Sequence, residues 1–439
     1  MSNFIIHGGK PLYGSVRVGG AKNASYKLML AALLADTPSR ILNFSHISDV
    51  YLVASLINSL GAKAMQVGER AYMIDPTHLN KDEIDPTSGE ASRASTLFIP
   101  ALLAKFGRAV VPFPGGDKIG ARPLDRHFDG LKALGAEVAV KDDKIVVTAK
   151  QLKGTTYRFR KSTHTGTETL IMAAVKAKGT TLLENAALET EIDDLIAFLN
   201  SMGARITRRP NRVIEIIGVP QLKGAIHKIM SDHNQVVSFA CAALATKGDV
   251  IVENADSRDI EAFLDKLDAI GAGYEVGHYG IRFYYKGELK ATDVTTEVHP
   301  GFKTDWQPLW VTMMTQAKGV SILHETVSEN RFQYVESLNA MGAQIELFNP
   351  VVDHPDELYN FNLEVDKPGN RHAARITGPT PLHGGEFTVK DLRHGATLMI
   401  AGLIADGKTI LHDGQEHIDR GYESLEEVFQ ALGATIRRQ

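Results

Sequence analysis

Three basic residues open segments that read as helices: Lys22 in GGAKNAS, Arg93 in ASRAS and Arg393 in DLRHG. The first turn of a helix has unpartnered backbone N–H groups and partial positive charge, so a cation there opposes the helix dipole. An anion held at the same end removes the conflict. Lysine or arginine then adds charge-assisted hydrogen bonds to phosphate or carboxylate. Arg122 in GGDKIGARPLD and Arg420 in HIDRGYE supply two more guanidiniums, each 13 residues before a Gly-Ala pair. The loop of Arg122 also carries Asp117 just after two glycines, which open many backbone states. Together the basic residues point to a small, multiply anionic ligand. Thr165 in HTGTE, Asp232 in SDHNQ and Asp305 in KTDWQ hold the corresponding places in other segments. For Thr165 and Asp232, ordinary N-capping explains the residue as well as ligand binding does.

The segments correspond because the chain repeats itself. A phrase close to L-G-A recurs at Gly61, Gly135, Gly203, Gly271, Gly342 and Gly433, at intervals of 74, 68, 68, 71 and 91 residues. A β-branched phrase precedes each one, from TPSRILNF to GKTILHD, and the helix starts above lie 37 to 42 residues upstream. Each copy reads as helix, strand, amphipathic helix, glycine cap and two further strands. In RDIEAFLDKLDAIG, residues Ile260, Phe263, Leu264, Leu267 and Ile270 fall on one helical face. The glycine then closes that helix, where positive φ costs glycine least. Helices over strands in every copy define an α/β protein, and six copies suit two domains of three. With the first-helix starts of both domains facing each other, the basic residues would frame one cleft. The long last interval marks an insertion near 348–372, expected in the sixth copy as surface loop with a short hairpin.

Composition narrows the function classes. Of 439 residues, 44% are hydrophobic and 23% charged, an ordinary globular profile. A net charge of −4 gives no field for nucleic acid or anionic lipid, and no basic stripe is interleaved with aromatics. The sequence presents neither a signal-peptide pattern nor an apolar run long enough for a bilayer. The single cysteine, Cys241 in VVSFACAAL, reads as a buried thiol, and a chain with one cysteine and no internal disulfide suits the reducing cytoplasm. No His or Cys spacing calls for a metal, and His127 and His417 read as structural supports beside the basic residues.

The phrases GGAKNA (19–24), RAS (93–95), GGDKIGARPLD (115–125), GTTLLENAA (179–187), TDWQ (304–307), ETVSENRF (325–332), DLR (391–393) and HIDRGYE (417–423) resemble the enolpyruvyl transferase family over essentially the whole chain. The resemblance implies two inverted α/β barrel domains of three βαβαββ-type repeats each, helices inside and strands outside. Their expected extents are residues 1–21 plus 231–439, and 22–230 with a mobile loop at 112–123. It also implies transfer of the enolpyruvyl group of phosphoenolpyruvate to the 3′-hydroxyl of UDP-N-acetylglucosamine, an early step of peptidoglycan synthesis, with no cofactor and no metal.

By that resemblance Lys22, Arg122, Arg393 and Arg420 hold the anions of phosphoenolpyruvate. Asn23, Arg93, Arg122, Pro123, Leu124, Asp125, Arg126, Lys161, Ser162, Thr163, His164, Asp305 and Val327 contact the UDP-sugar. Asp305 takes the hydroxyl proton. Asp117 stands where most of the family has a cysteine proton donor, which implies resistance to the epoxide fosfomycin. The segments 161–166 and 232–235 and Arg126 depart from the commonest family residues, so two alternatives stay open: a different nucleotide or sugar acceptor such as UMP, and a non-catalytic ligand-binding paralogue.

Overall fold

The structure, a computed structural model, describes residues 2–85, 93–113 and 124–439, and of Arg93 it describes the backbone alone. The chain divides into two compact units. One holds the residues up to Gly19 together with Ser231–Gln439, and the other runs from Gly20 to Met230.

Each unit is built around helices that are apolar on every side. In the first unit His233–Ala245 is buried at all 13 positions and Gln307–Met314 at all 8. Leu392–Ile404 is buried along nearly its whole length, and the three helices pack on one another. A helix without a polar face is stable only when surrounded, so these sequences dictate a central position. Lys22–Ala32, Ile99–Phe106 and His164–Ala174 are the corresponding helices of the second unit.

Sheets wrap the inner helices. In five copies the strand after the inner helix pairs antiparallel with the second strand of the closing hairpin, as Asp249–Glu253 does with Gly280–Tyr284. A short parallel strand from a neighbouring copy covers the other edge. Ile226–Lys228, at the end of the second unit, pairs with Ser39–Leu42 at its beginning. In the first unit the N-terminal strand Ser2–His7 lies between Lys408–Asp413 and Thr435–Arg438, and Tyr13–Arg17 then pairs with Asp249–Glu253. Both units thus close on themselves and cover the edges that an open sheet would expose.

The outer helices follow the amphipathic pattern. Glu261–Ile270 buries Phe263, Leu264, Leu267 and Ile270, and Phe263 meets Trp306 and Trp310 edge-on at 6.1 and 5.8 Å. Burying such a side chain contributes about 1.5–3 kcal/mol. All six Gly-Ala glycines have positive φ, between 76° and 105°, as the caps require.

The insertion corrects the sequence reading. Residues 349–372 join Gln344–Phe348 to Ala373–Gly378, the closing hairpin of the fifth copy rather than part of the sixth. It contains the one-turn helix Pro355–Leu358 and a 3-10 turn in place of a hairpin. Nor is it all surface: Tyr359 and Phe361 are 5% exposed and stack beside His372, because an aromatic pair anchors what is otherwise polar loop. The spacing between glycines could not say on which side of the hairpin the extra residues fell.

Candidate active site

In the first unit two guanidiniums, one of them a candidate, converge on the carboxylate of Asp305. Asp305 precedes the inner helix Gln307–Met314, and its Oδ1 accepts from Arg331 Nη2 at 2.5 Å and Arg393 Nε at 3.3 Å. Arg393 enters through the start of Leu392–Ile404, whose cap is Asp391 accepting from His394 N. Arg393 Nη1 also donates to Tyr422 Oη, which in turn meets Ser238 Oγ at 2.7 Å. Burial works against the Arg393 charge, yet Asp305, Tyr422 and Asp232 together hold the guanidinium above its ordinary value. The result is an ionised carboxylate, a third exposed, gripped by two cations at the mouth of an apolar core.

The neighbouring loop is fixed from below. Glu325 is fully buried, and its Oε1 accepts from Val327 N, Ser328 N and Thr296 Oγ1 while Oε2 accepts from Thr304 Oγ1. Burial raises its pKa, against which these hydrogen bonds and Arg331 favour the charged form. One side chain therefore sets both the Val327 loop and the segment that carries Asp305. Arg420 lies in the 3-10 turn Ile418–Arg420, which Asp413 anchors by accepting from His417 N and Ile418 N.

The second unit holds the other candidates. Lys22 begins the Lys22–Ala32 helix and pairs with Asp49 at 3.0 Å, so the anion demanded at that helix start comes here from the protein itself. Asn23 follows it in the first turn. Arg93 opens the 3-10 turn Arg93–Phe98. Leu124 is buried at the start of Asp125–Ala133, and Arg126 Nη1 donates to Ser162 O at 2.9 Å, which joins the 124–126 and 161–164 segments. Thr163, not Thr165, caps His164–Ala174, accepting from Gly166 N. Thr165 Oγ1 instead meets His127 Nε2 at 2.9 Å, since an extended residue is needed at the cap and Thr165 is already helical. Asp232 is the cap of His233–Ala245, accepting from Asn234 N and Gln235 N. Asp117, Arg122 and Pro123 lie outside the described residues.

Sequence reasoning missed Arg331, Glu325 and Tyr422. All three sit inside quoted phrases, ETVSENRF and HIDRGYE, and the signal was a charged or polar residue next to one already chosen. It also passed over Lys27 and Glu168, charges within helices that are otherwise apolar. Cys241 is buried, and burial pushes its thiol pKa well up, as befits an inert core residue. Among the described residues no cluster of three or more His, Cys, Asp or Glu could hold a metal ion, and no helix is long and apolar enough to cross a membrane.

Two α/β units of threefold repeats, with carboxylate and guanidinium groups at the starts of inner helices, define a carboxyvinyl-transfer architecture, and the chain belongs to the enolpyruvyl transferase family, matching the profile of EPSP synthase (3-phosphoshikimate 1-carboxyvinyltransferase) over residues 6–429. Within that family it aligns end to end with proteins named UDP-N-acetylglucosamine 1-carboxyvinyltransferase. It is 39% identical to the one from Halothermothrix orenii and 40% to the one from Desulforapulum autotrophicum, with 100% of each chain covered. Among solved structures it superposes on the enolpyruvyl transferase NikO from Streptomyces tendae with a TM-score of 0.85 at 23% identity, covering 100% of this chain and 99% of that one. EPSP synthase from Acinetobacter baumannii gives 0.72 at 18%, with 100% of both covered.

Proposed function

We propose that this enzyme transfers the enolpyruvyl group of phosphoenolpyruvate to the 3′-hydroxyl of UDP-N-acetylglucosamine and releases phosphate, the first committed step of peptidoglycan precursor synthesis. The observation that carries the reading is full-length identity of 39–40% to relatives of that name. Residues 1–21 with 231–439 and residues 22–230 act as its two domains.

The chemistry divides into addition and elimination. In addition, Asp117 gives a proton to the methylene carbon of phosphoenolpyruvate, the sugar oxygen bonds to the adjacent carbon, and the hydroxyl proton passes to Asp305. In elimination, the carboxylate left at Asp117 takes a proton back from the new methyl group, the carbon–oxygen bond to phosphate breaks, and the departing phosphate takes the proton held by Asp305. General acid–base transfer and preorganised charge carry both steps. Lys22, Arg122, Arg393 and Arg420 neutralise the donor's phosphate and carboxylate. Arg393 now shares Oδ1 of Asp305 with Arg331. On turning to the donor's anion it leaves that oxygen able to accept the hydroxyl proton, while Arg331 keeps the carboxylate in place. Asn23, Arg93, Pro123, Leu124, Asp125, Arg126, Lys161, Ser162, Thr163, His164 and Val327 receive the UDP-sugar. The reaction is placed in the cytoplasm, in keeping with a single buried thiol, and an aspartate at 117 makes the enzyme insensitive to fosfomycin.

The deciding experiment is phosphate release from phosphoenolpyruvate with UDP-N-acetylglucosamine, UMP or shikimate 3-phosphate as acceptor. Release with the first alone is expected. Release only with UMP would replace the acceptor, and ligand binding without any release would mark a non-catalytic paralogue.

A further inference from the structure

The core of the second unit contains an ion cluster that the fold does not need. Lys27, 2% exposed, lies in the Lys22–Ala32 helix with Nζ 2.7 Å from Oε2 of Glu168, which is 0% exposed in His164–Ala174. The Nε2 atom of His164 is 3.1 Å from Glu168 Oε1 and 3.2 Å from Lys27 Nζ. Lys27 is the sixth residue of its helix, and the sixth residues of the inner helices in the third to sixth copies are Thr169, Ser238, Thr312 and Thr397, all buried and uncharged. Glu168 is the fifth residue of its helix and matches Tyr26, Val237, Val311 and Ala396, never a charge. A buried ion pair gains little or nothing over well-packed apolar side chains. The fourth, fifth and sixth copies carry no charge at either place, so the fold does not require one, and the pair calls for another reason.

His164 supplies one. Of the three side chains it alone keeps solvent access, 22%, and its Nδ1 makes no hydrogen bond among the described residues. With Nε2–H of the charged ring donating to Glu168, whose other oxygen holds Lys27, the ring is fixed and Nδ1–H is left as the outward donor. The charged groups around it are Glu168 on its own helix, Lys27, and buried Glu191 from Thr190–Ser201, while His127 engages the adjoining Thr165. Burial opposes a charged ring, but Glu168 and Glu191 outweigh burial and Lys27, so imidazolium persists above the ordinary histidine range.

We infer that Lys27 and Glu168 are positioning residues that hold His164 as an oriented donor for an anionic group of the acceptor, of the diphosphate class. The inference rests on the proposed function, which places His164 on the UDP-sugar. A charge-assisted hydrogen bond of this kind corresponds to about tenfold in acceptor affinity.

The test removes both charges together, Lys27→Leu with Glu168→Leu, so that neither is left buried without the other. At pH 8 the acceptor KM should rise about tenfold while the phosphoenolpyruvate KM and kcat stay within about twofold. The His164 ring resonance in NMR should titrate at lower pH than in the unmodified enzyme. An unchanged acceptor KM and an unchanged titration would overturn the inference and leave the pair structural. Should the double variant not fold, Lys27→Met with Glu168→Gln is read the same way. Failure of the unmodified enzyme to release phosphate with UDP-N-acetylglucosamine would refute the proposed function instead. The inference is then decided by the His164 titration and by calorimetric binding of UDP to both proteins, where equal affinity and equal titration count against it.

Discussion

Replacing Arg331 by methionine tests the Asp305 cluster most directly. The guanidinium is 4% exposed and bonds Asp305 Oδ1 at 2.5 Å, against 3.3 Å for Arg393. Breaking a fully buried ion pair costs about 3–5 kcal/mol, but Asp305 is 32% exposed, so solvent screens part of that loss. A single charge-assisted hydrogen bond, about 1.5–3 kcal/mol, is the better measure. If the bond holds Asp305 where the hydroxyl proton is taken, kcat/KM should fall roughly 10- to 150-fold. Unfolding in urea, run beside steady-state phosphate release, separates this from general damage, since methionine keeps much of the packing. Arg331→Lys should recover little, because an ammonium cannot reproduce the planar fork. Unchanged kcat/KM in a folded Arg331→Met protein would refute the idea that Arg331 positions the proton acceptor.

Other expectations follow from single features. Asp117→Cys should stay active and become fosfomycin-sensitive, whereas covalent labelling of the unmodified enzyme by fosfomycin would contradict the assignment of Asp117. Lys22→Ala should raise the phosphoenolpyruvate KM at least about tenfold, because it removes a cation at a helix start; equal KM values would place the donor elsewhere. Phe361→Ala should cost about 3 kcal/mol in urea unfolding. Because Asn360 N bonds Thr326 O at 2.7 Å beside Val327, it should also raise the acceptor KM more than the donor KM. His394 is buried, with Nδ1 accepting from Lys390 N and Nε2 beside Ser337 Oγ, and burial pushes its pKa down to about 4. The unfolded chain then binds the extra proton first, so stability is full above the ordinary histidine value and declines as pH falls from about 6.5 toward 4, by about 3 kcal/mol in all. His394→Asn should flatten that slope in urea midpoints taken between pH 7 and 5, and an unaltered slope would show that other groups cause it.

The repeat was legible because it is written in residues with strong local consequences. Glycine at a helix end and a β-branched strand after an apolar helix need no tertiary information, and all six copies follow them. What the spacing could not show is which strand each copy borrows. The parallel partner of Ser39–Leu42 lies at Ile226–Lys228, and that of Asp249–Glu253 at Tyr13–Arg17. Such pairings are set by closure of a cycle, a global property with no trace in any one segment. The insertion was misplaced for the same reason, since an interval between glycines counts residues without saying which hairpin strand they follow.

Site residues were legible where a charge sat against local expectation, as with Lys22 or Arg393 at a helix start. They were lost where a charge sat among apolar neighbours and its partner comes from elsewhere in the chain. Lys27 of the first copy meets Glu168 of the third, and Arg331 meets Asp305 across 26 positions. In each case one residue alone looks like an anomaly and only the pair makes physical sense, because burying either charge singly would cost several kcal/mol. The sixfold repeat exposes such pairs in the amino-acid sequence itself. Aligning the inner helices makes some copies a reference for the others, and a buried charge where they carry none must have a partner elsewhere. Lys27 and Glu168 both satisfy that condition against the fourth, fifth and sixth copies. Their joint departure from symmetry is not demanded by the fold, since three copies fill the same places without a charge.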